Sequence, residues 1–138
     1  MANKLQCCRI TAPGAYSKAS FYRADKDYVL QGGLYPKANP KYGKDKIPIP
    51  LEYVLPNKKG TITMARWEDL TSGDGEFFIN MRDNPNLDRT GSSGWQAGFT
   101  VFGEVISGME VAKNINHQGP LSSVKNIPFS LSVVEPEL

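Results

Sequence analysis

Short stretches in which polar and apolar residues alternate run through most of this chain. Strands with this alternation are predicted at Thr61 to Ala65 and Phe129 to Val134, and two further strands are predicted at Glu76 to Met81 and Phe99 to Val105. Alternation with a period of two is typical of strands that bury one face. In the strand from Glu76 to Met81 this period places Phe77, Ile79 and Met81 on one face and Phe78 on the other.

Two further segments have a strand-like composition. Ser20 to Gln31 is rich in aromatic and branched residues, has a polar break at Asp25-Lys26-Asp27, and ends at Gly32-Gly33. Glu52 to Leu55 is a shorter candidate strand. Between these segments, the proline- and lysine-rich stretch from Leu34 to Pro50 is interpreted as a long solvated loop.

One helix is predicted, from about Gly108 to Asn116, because Met109, Ala112 and Ile115 share a face there. The ten prolines and thirteen glycines of the chain favour short strands and turns over long helices. Together these elements predict a mainly β, antiparallel fold with one helix in the C-terminal half, arranged as a barrel or a sandwich.

Length and composition restrict the classes of partner. The 138 residues fit a single domain, 1–138, and 40% of them are apolar, which is enough for a real core. A net charge of +2, from interspersed charges of both signs, gives no basic face for nucleic acid. No window approaches the roughly 20 apolar residues that a membrane span requires. We therefore expect no nucleic-acid partner and no membrane span.

Metal and redox chemistry have few candidate ligands in this sequence. Cys7 and Cys8 are adjacent, which strains any disulfide between them, and His117 is the only histidine. These residues predict no metal site and no cofactor. Because the amino terminus also lacks the pattern of a secretory signal, they favour a reducing, cytoplasmic compartment.

The common catalytic motifs are absent from the sequence, including the G-x-S-x-G elbow, phosphate-binding glycine loops and H-E-x-x-H. His117 at the predicted helix end is interpreted as a solvent-facing cap. Glu68-Asp69 is interpreted as a solvated turn rather than an acid–base pair. We therefore expect no chemistry through a metal ion or a covalent nucleophile.

Five motifs stand in a fixed order along the chain. They are Phe21-Tyr22-Arg23, Gln31-Gly32-Gly33, Thr63-Met64-Ala65, Phe77-Phe78-Ile79-Asn80 and Val101-Phe102-Gly103-Glu104-Val105. In this order they resemble the F-H-R, Q-G-G, S-M-A-N, Q-F-F-I and V-F-G-x-V motifs of the cyclophilin family of peptidyl-prolyl cis-trans isomerases. The resemblance runs from about Tyr16 to the carboxyl terminus. It implies a cyclophilin-like antiparallel β-barrel that isomerises X-Pro bonds in proteins and so assists folding.

The resemblance also implies roles for individual residues. Arg23 and Gln31 are the implied catalytic residues, with Gln31 helping to position Arg23 and the substrate carbonyl. The residues implied to bind substrate are Phe78, Tyr28, Val29, Met64, Ala65, Leu87 and Phe99. The implied partners are proline-containing proteins or peptides, and the reaction needs no cofactor.

The chemistry of the X-Pro bond explains how a single arginine can catalyse its rotation. Uncatalysed rotation takes tens to hundreds of seconds because it breaks amide resonance. Midway through rotation the prolyl nitrogen regains a lone pair, and a guanidinium against it stabilises that state more than either planar state. A charge-assisted hydrogen bond contributes about 1.5–3 kcal/mol, which is about one to two decades of rate.

Several positions near the implied groove depart from the family pattern. Tyr22 replaces His, which we expect to matter little. Arg66 and Trp67 replace Asn and Ala. We therefore expect a charged side chain and a bulky one at the end of the strand that pairs with substrate. Glu76 replaces Gln and is expected to add a negative charge beside the groove.

Other departures affect the implied proline pocket. Asn86 stands where the family carries an aromatic residue, so we expect only weak cyclosporin binding. Phe99 replaces a His or Tyr that offers a polar contact, while Trp95, in an elongated loop, is a candidate to restore aromatic cover. These changes keep a second hypothesis open, in which the chain is a weakly active or inactive cyclophilin-fold scaffold or subunit that binds proline-containing segments or docks in a larger assembly.

A topological departure concerns the amino-terminal end. The family's first two strands and most of its first helix are expected upstream of Tyr16, where only fifteen residues stand. A barrel that lacks two strands exposes sheet edges. We therefore expect an N-terminally incomplete, open barrel, completed by a partner chain, by self-association or by upstream sequence.

Overall fold

A computed structural model describes Tyr16 and residues 19–33, 50–73, 75–121 and 125–131 of the chain. Six strands and one α-helix make up the regular structure of these residues. In chain order they are β1 Ser20–Asp25, β2 Val29–Gly33, β3 Thr61–Met64, β4 Phe77–Asn80, β5 Val101–Glu104, α1 Met109–Asn116 and β6 Ile127–Pro128. Two short 3-10 helices, Pro85–Leu87 and Gly94–Ala97, lie between β4 and β5.

The strands form one antiparallel sheet in the order β5-β3-β4-β2-β1-β6. Across the described ranges this sheet is not closed, because β5 and β6 each have a neighbour on one side only. The prediction of a mainly β, antiparallel fold with a single helix is confirmed for these ranges.

One face of the sheet carries the hydrophobic core. The register places Leu30 opposite Ile79, and Ile79 opposite Ile62, so that a row of aliphatic side chains crosses β2, β4 and β3. The core cluster consists of Leu30, Ile79, Met81, Ala112 and Leu121, with Met109 and Ile115 of α1 packed against it. The predicted faces of β4 and α1 are therefore confirmed.

The turn between β1 and β2 is held by the end of the helix. The Asn116 amide donates to the carbonyl oxygens of Asp25 and Val29 at 3.0 Å, and its oxygen accepts the Asp27 N–H at 2.8 Å. Asp27 has a φ of 58°, a left-handed conformation that Asp tolerates better than most residues. His117 caps the helix and contacts the Asp27 carboxylate at 2.5 Å, so its interpretation as an exposed cap is confirmed.

Two predicted strands are wrong in position. Residues 52–55 form no strand, and Val54 is 81% exposed, because no neighbouring strand pairs with them. The last strand is Ile127–Pro128 rather than the predicted Phe129 to Val134, of which 132–134 lie outside the described residues. The Phe129 ring instead packs 4.7 Å from Phe21. Residues 34–49 of the predicted solvated loop lie outside the described residues, and so do Cys7 and Cys8.

Candidate active site

A row of cross-strand neighbours crosses the face of the sheet opposite the core. Arg23 on β1 pairs with Gln31 on β2, Gln31 pairs with Phe78 on β4, and Phe78 pairs with Thr63 on β3. Directly opposed residues of antiparallel strands have Cβ atoms about 4.5–5.5 Å apart. The register therefore brings three of the implied site residues side by side, although they are far apart in sequence.

A β-bulge in β1 shapes this row. The pairing register shifts between Phe21 and Arg23, so Tyr22 is an extra residue with no direct partner on β2. Bulges redirect side chains and often lie beside functional sites. Here the bulge lets the Tyr22 hydroxyl reach Gln31, next to the Arg23 position.

The Arg23 guanidinium is held by two neighbours and is open to solvent. Its Nη1 donates to Gln31 Oε1 at 3.1 Å, and its Nη2 lies 2.5 Å from Asp25 Oδ2. The side chain is 52% exposed. Since a guanidinium has five N–H donors, donors remain for a substrate that lies over the row.

A chain of hydrogen bonds continues from Gln31 into the sheet. Gln31 Nε2 donates to the Tyr22 hydroxyl at 3.0 Å, and this hydroxyl donates to Glu76 Oε2 at 3.1 Å. Burial, and next the Glu76 charge, raise the pKa of Tyr22 well above 10.0, so the phenol stays protonated at neutral pH. The negative charge expected beside the groove is therefore hydrogen-bonded to a phenol.

A cluster of aromatic rings surrounds Phe78, the residue implied to form the floor of the proline pocket. Phe78 is only 5% exposed, and its ring meets the Phe99 ring edge-on, with centres 5.9 Å apart. Trp95 stacks on Phe99 at 6.1 Å and an angle of 24°. Trp95 thus extends the aromatic surface that Phe78 and Phe99 begin, as the sequence suggested.

Arg66 corrects one expectation about the groove. Its guanidinium is turned inward, the residue is 9% exposed, and its N–H groups donate to backbone carbonyl oxygens. The four acceptors are those of Gly98, Gly94, Trp67 and Glu68, at 2.7 to 3.3 Å. The expectation that Arg66 brings charge to the end of the substrate-pairing strand is therefore wrong, whereas Trp67 is 79% exposed and does add bulk.

The other implied binding residues differ in position. Leu87, half-buried in the first 3-10 helix, is joined to Phe99 by a backbone hydrogen bond of 3.1 Å. The Tyr28 hydroxyl accepts a hydrogen bond from Asn86 at 2.8 Å, and the Arg82 guanidinium lies 5.1 Å from its ring centre. These residues line the end of the face that carries the row.

Val29, Met64 and Ala65 offer less to a ligand. Val29 is 3% exposed, and Met64 is 8% exposed and paired with Phe77, on the row next to that of Phe78. The N–H of Ala65 donates to the Glu76 carbonyl at 3.0 Å, so this group is already engaged within the sheet. The side chains of Val29 and Met64 are therefore buried and offer little surface to a ligand.

A buried amide network under the pocket was not predicted from the sequence. Its members, each at most 1% exposed, are Asn57, Thr63, Asn80 and Asn84. Thr63 Oγ1 donates to Asn57 Oδ1 at 2.8 Å, and Asn84 Nδ2 donates to Asn80 Oδ1, also at 2.8 Å. The polar residue at the end of Phe77-Phe78-Ile79-Asn80 was the only available sign of it.

Asn57 links this network to the pocket wall. Its amide nitrogen donates to the carbonyl oxygens of Leu87 at 3.2 Å and Phe99 at 3.3 Å, and to Asp88 Oδ1 at 3.1 Å. Two segments of the pocket, which are distant in sequence, are therefore fixed to one side chain.

Within the described residues no helix is long and apolar enough to cross a membrane. Nor does this part of the chain bring together three His, Cys, Asp or Glu side chains that could hold a metal ion.

Sequence comparisons place the chain among known proteins. The family model of cyclophilin type peptidyl-prolyl cis-trans isomerases matches residues 2–133. Peptidyl-prolyl cis-trans isomerase B of Escherichia coli is 37% identical over 116 residues, or 82% of this chain and 68% of the relative. Peptidyl-prolyl cis-trans isomerase A of Dickeya dadantii is 35% identical, over 84% of this chain and 63% of the relative. The matches thus span about two thirds of these relatives' length.

Solved structures agree with the sequence comparison. A crystal structure of a cyclophilin type peptidyl-prolyl cis-trans isomerase from Cryptosporidium parvum has a TM-score of 0.67 and 18% identity, and the match covers 92% of this chain and 79% of that one. The same protein crystallised in the presence of the dipeptide Ala-Pro has a TM-score of 0.62. Sequence and fold together show that this chain belongs to the cyclophilin family of peptidyl-prolyl cis-trans isomerases.

Proposed function

We propose that Arg23, Gln31 and Phe78 carry the peptidyl-prolyl cis-trans isomerase activity of the family in this chain, acting on X-Pro bonds of proteins. The observation that carries the proposal is the cross-strand row, which sets a half-exposed guanidinium beside an amide and a buried aromatic floor. The arrangement supplies both parts of the reaction, a cation for the prolyl nitrogen and an apolar surface for the ring.

In the proposed reaction the proline ring rests on the aromatic surface formed by Phe78 and Phe99. The preceding carbonyl swings through the twisted state while the ring stays fixed. Arg23 donates to the prolyl nitrogen as its lone pair develops, which favours the twisted state over both planar states. No bond to the substrate forms or breaks, and no proton is transferred.

A direct assay of isomerisation tests this proposal. We expect the protein to accelerate exchange in an Ala-Pro-containing peptide, measured by NMR exchange spectroscopy, and Arg23→Ala to lower kcat/KM by about 10- to 100-fold. Lys113→Ala is a suitable control because it also removes one cation, from an exposed position on α1. No acceleration by the intact protein, or equal rates for the protein and Arg23→Ala, would contradict the proposal.

One observation favours the second hypothesis, that the chain binds proline-containing segments without turnover. The Asp25 carboxylate lies 2.5 Å from Arg23 Nη2 and competes with a substrate for the guanidinium. Under this hypothesis the peptide shifts the NMR signals of Phe78 and Phe99 but exchanges at the uncatalysed rate. Acceleration in Asp25→Asn, and not in the natural chain, would identify the ion pair as the cause.

A further inference from the structure

We infer that Tyr22 and Glu76 are positioning residues for Arg23, and that they act through the amide of Gln31. This inference rests on the proposed function. It assigns a role to two side chains that depart from the family pattern, where His and Gln stand in their places. The two departures are not independent, because the side chains that replace the family residues are hydrogen-bonded to each other.

Three hydrogen bonds connect the carboxylate to the guanidinium. They join Glu76 to Tyr22 at 3.1 Å, Tyr22 to Gln31 at 3.0 Å, and Gln31 to Arg23 at 3.1 Å. This series of hydrogen bonds runs from Glu76, the residue just before β4, to β1, then to β2, and back to β1. It therefore ties the position of the guanidinium to β1, to β2 and to the residue before β4 rather than to its own flexible side chain.

The direction of these bonds is fixed at the carboxylate end. An ionised carboxylate only accepts hydrogen bonds, so the Tyr22 hydroxyl must donate to Glu76 and accept from Gln31. The Gln31 amide then presents its oxygen, and not its NH₂ group, to the Arg23 guanidinium. The opposite orientation would place two donors face to face, and it would leave the guanidinium without this partner.

Two features of the fold leave space for the hydrogen-bonded side chains of Tyr22 and Glu76. Tyr22 is 9% exposed and lies at the bulge, which is what brings its hydroxyl to Gln31. Gly33 has a φ of 149°, and a Cβ atom there would lie 1.7 Å from Glu76 Oε2 and 2.8 Å from the Gly75 carbonyl oxygen. The missing side chain at Gly33 leaves the space that the carboxylate occupies.

The first test measures catalysis by Tyr22→Phe, which removes only the hydroxyl. We expect kcat to fall about three- to tenfold while KM stays within about twofold, because the guanidinium is misplaced in the transition state but the aromatic pocket is intact. Tyr53→Phe is the matched control, since that phenol interacts with Asp88 and not with the Arg23 chain. Unchanged kcat in Tyr22→Phe would overturn the inference.

A double-mutant cycle separates positioning from a merely structural effect. If Tyr22 acts through Gln31, adding Tyr22→Phe to Gln31→Ala should cost no further activity. Additive losses would contradict the inference. Glu76→Gln, with Tyr22 kept, should give a smaller fall in kcat than Tyr22→Phe, and it is the variant to use if Tyr22→Phe does not fold.

An NMR measurement decides the geometry without any assay of activity. The two side-chain amide protons of Gln31 should shift in Tyr22→Phe, and the Arg23 side-chain N–H signals should shift with them. If the intact protein is inactive, the proposed function fails, while these shifts still show whether Tyr22 is connected to Arg23 through Gln31. If the protein is active and the Arg23 signals do not move, the inference fails and the proposed function stands.

Discussion

The central guanidinium carbon of Arg66 lies 4.8 Å from the centre of the Phe99 ring and 5.7 Å from that of Trp95. A cation over aromatic faces is attracted by the ring quadrupole, more strongly when it is shielded from water. The same guanidinium bonds carbonyl oxygens in both segments that flank the pocket wall, at Trp67 and at Gly98. One buried cation thus joins the backbone of two loops to the rings beside the active site.

Removing this cation should loosen the pocket wall. We expect Arg66→Met to lower the free energy of unfolding by about 2–4 kcal/mol, because the buried Gly98 carbonyl oxygen and three partly buried carbonyl oxygens lose their donor. Urea unfolding measures this loss. In the folded variant we expect a larger relative rise in KM for a proline peptide than fall in kcat. The reason is that the side chain of residue 66 contacts the Phe99 and Trp95 rings and not Arg23.

Arg66→Lys is the matched variant for this prediction. Lysine keeps the charge but cannot donate in the planar, forked geometry that reaches Gly94 and Gly98 together. We expect it to recover less than half of the lost stability. Full recovery would show that charge alone, and not the geometry of the guanidinium, holds the loops.

Asn57 should matter for stability and for substrate binding together. We expect Asn57→Ala to lower the free energy of unfolding by about 3 kcal/mol, because it leaves the buried Thr63 hydroxyl without its acceptor and removes one acceptor of Asn80 Nδ2. KM should rise because the Leu87 and Phe99 carbonyls lose their shared donor. Asn114→Ala, at an exposed position on α1, is the control, and equal stability of the two variants would contradict the prediction.

The parts of the fold that the sequence predicted are those with one buried face. The apolar residues that pack into the core follow the strand period at Ile79 of β4 and Met81 just after it, and the helix period at Met109, Ala112 and Ile115 of α1. The sequence pattern therefore indicates which face meets the core. The row of Arg23, Gln31 and Phe78 followed from motif order, because the family's register carries over with the motifs. Residues 52–55 had a strand-like composition but no partner strand, and composition alone cannot supply one.

The parts that the sequence could not predict depend on contacts between distant residues. An arginine at the end of a strand reads as a surface charge, and only the fold brings the Gly94 and Gly98 carbonyls within reach of Arg66. Likewise, Asn57 and Asn80 look like turn or surface residues until they are found buried together. The hydrogen bond between Tyr22 and Glu76 could not be predicted either, because the two residues are 54 positions apart in the sequence.

Cyclosporin binding should respond to the rim residue Asn86. This exposed side chain donates to the Tyr28 hydroxyl at 2.8 Å and presents no apolar surface to a ligand. We expect the natural chain to bind cyclosporin weakly and Asn86→Trp to bind it about tenfold or more tightly, because an aromatic ring adds buried area at the pocket edge. Isothermal titration calorimetry measures both affinities. Asn114→Trp controls for an added indole, and a tight complex with the natural chain would refute the prediction.

Alkaline unfolding should depend on Tyr22. Its pKa is raised in the folded state above the 10.0 of an exposed tyrosine, chiefly by burial and then by the Glu76 charge. The folded state therefore holds this proton more tightly than the unfolded state, so the stabilisation is complete below about pH 10 and is lost as pH rises towards the folded pKa. This residue should contribute a fall of at most about 1.4 kcal/mol per pH unit above pH 10.

Comparison with Tyr22→Phe isolates this contribution. Lysines and the other tyrosines, including Tyr53 with its raised pKa, titrate in both proteins and cancel in the difference. We expect the difference in free energy of unfolding between the natural chain and the variant to be constant from pH 7 to 9 and to shrink between pH 10 and 11.5. Urea unfolding at fixed pH values measures it. A constant difference across the whole range would mean that Tyr22 titrates normally in the folded protein, and that its phenol is hydrated rather than buried against Glu76.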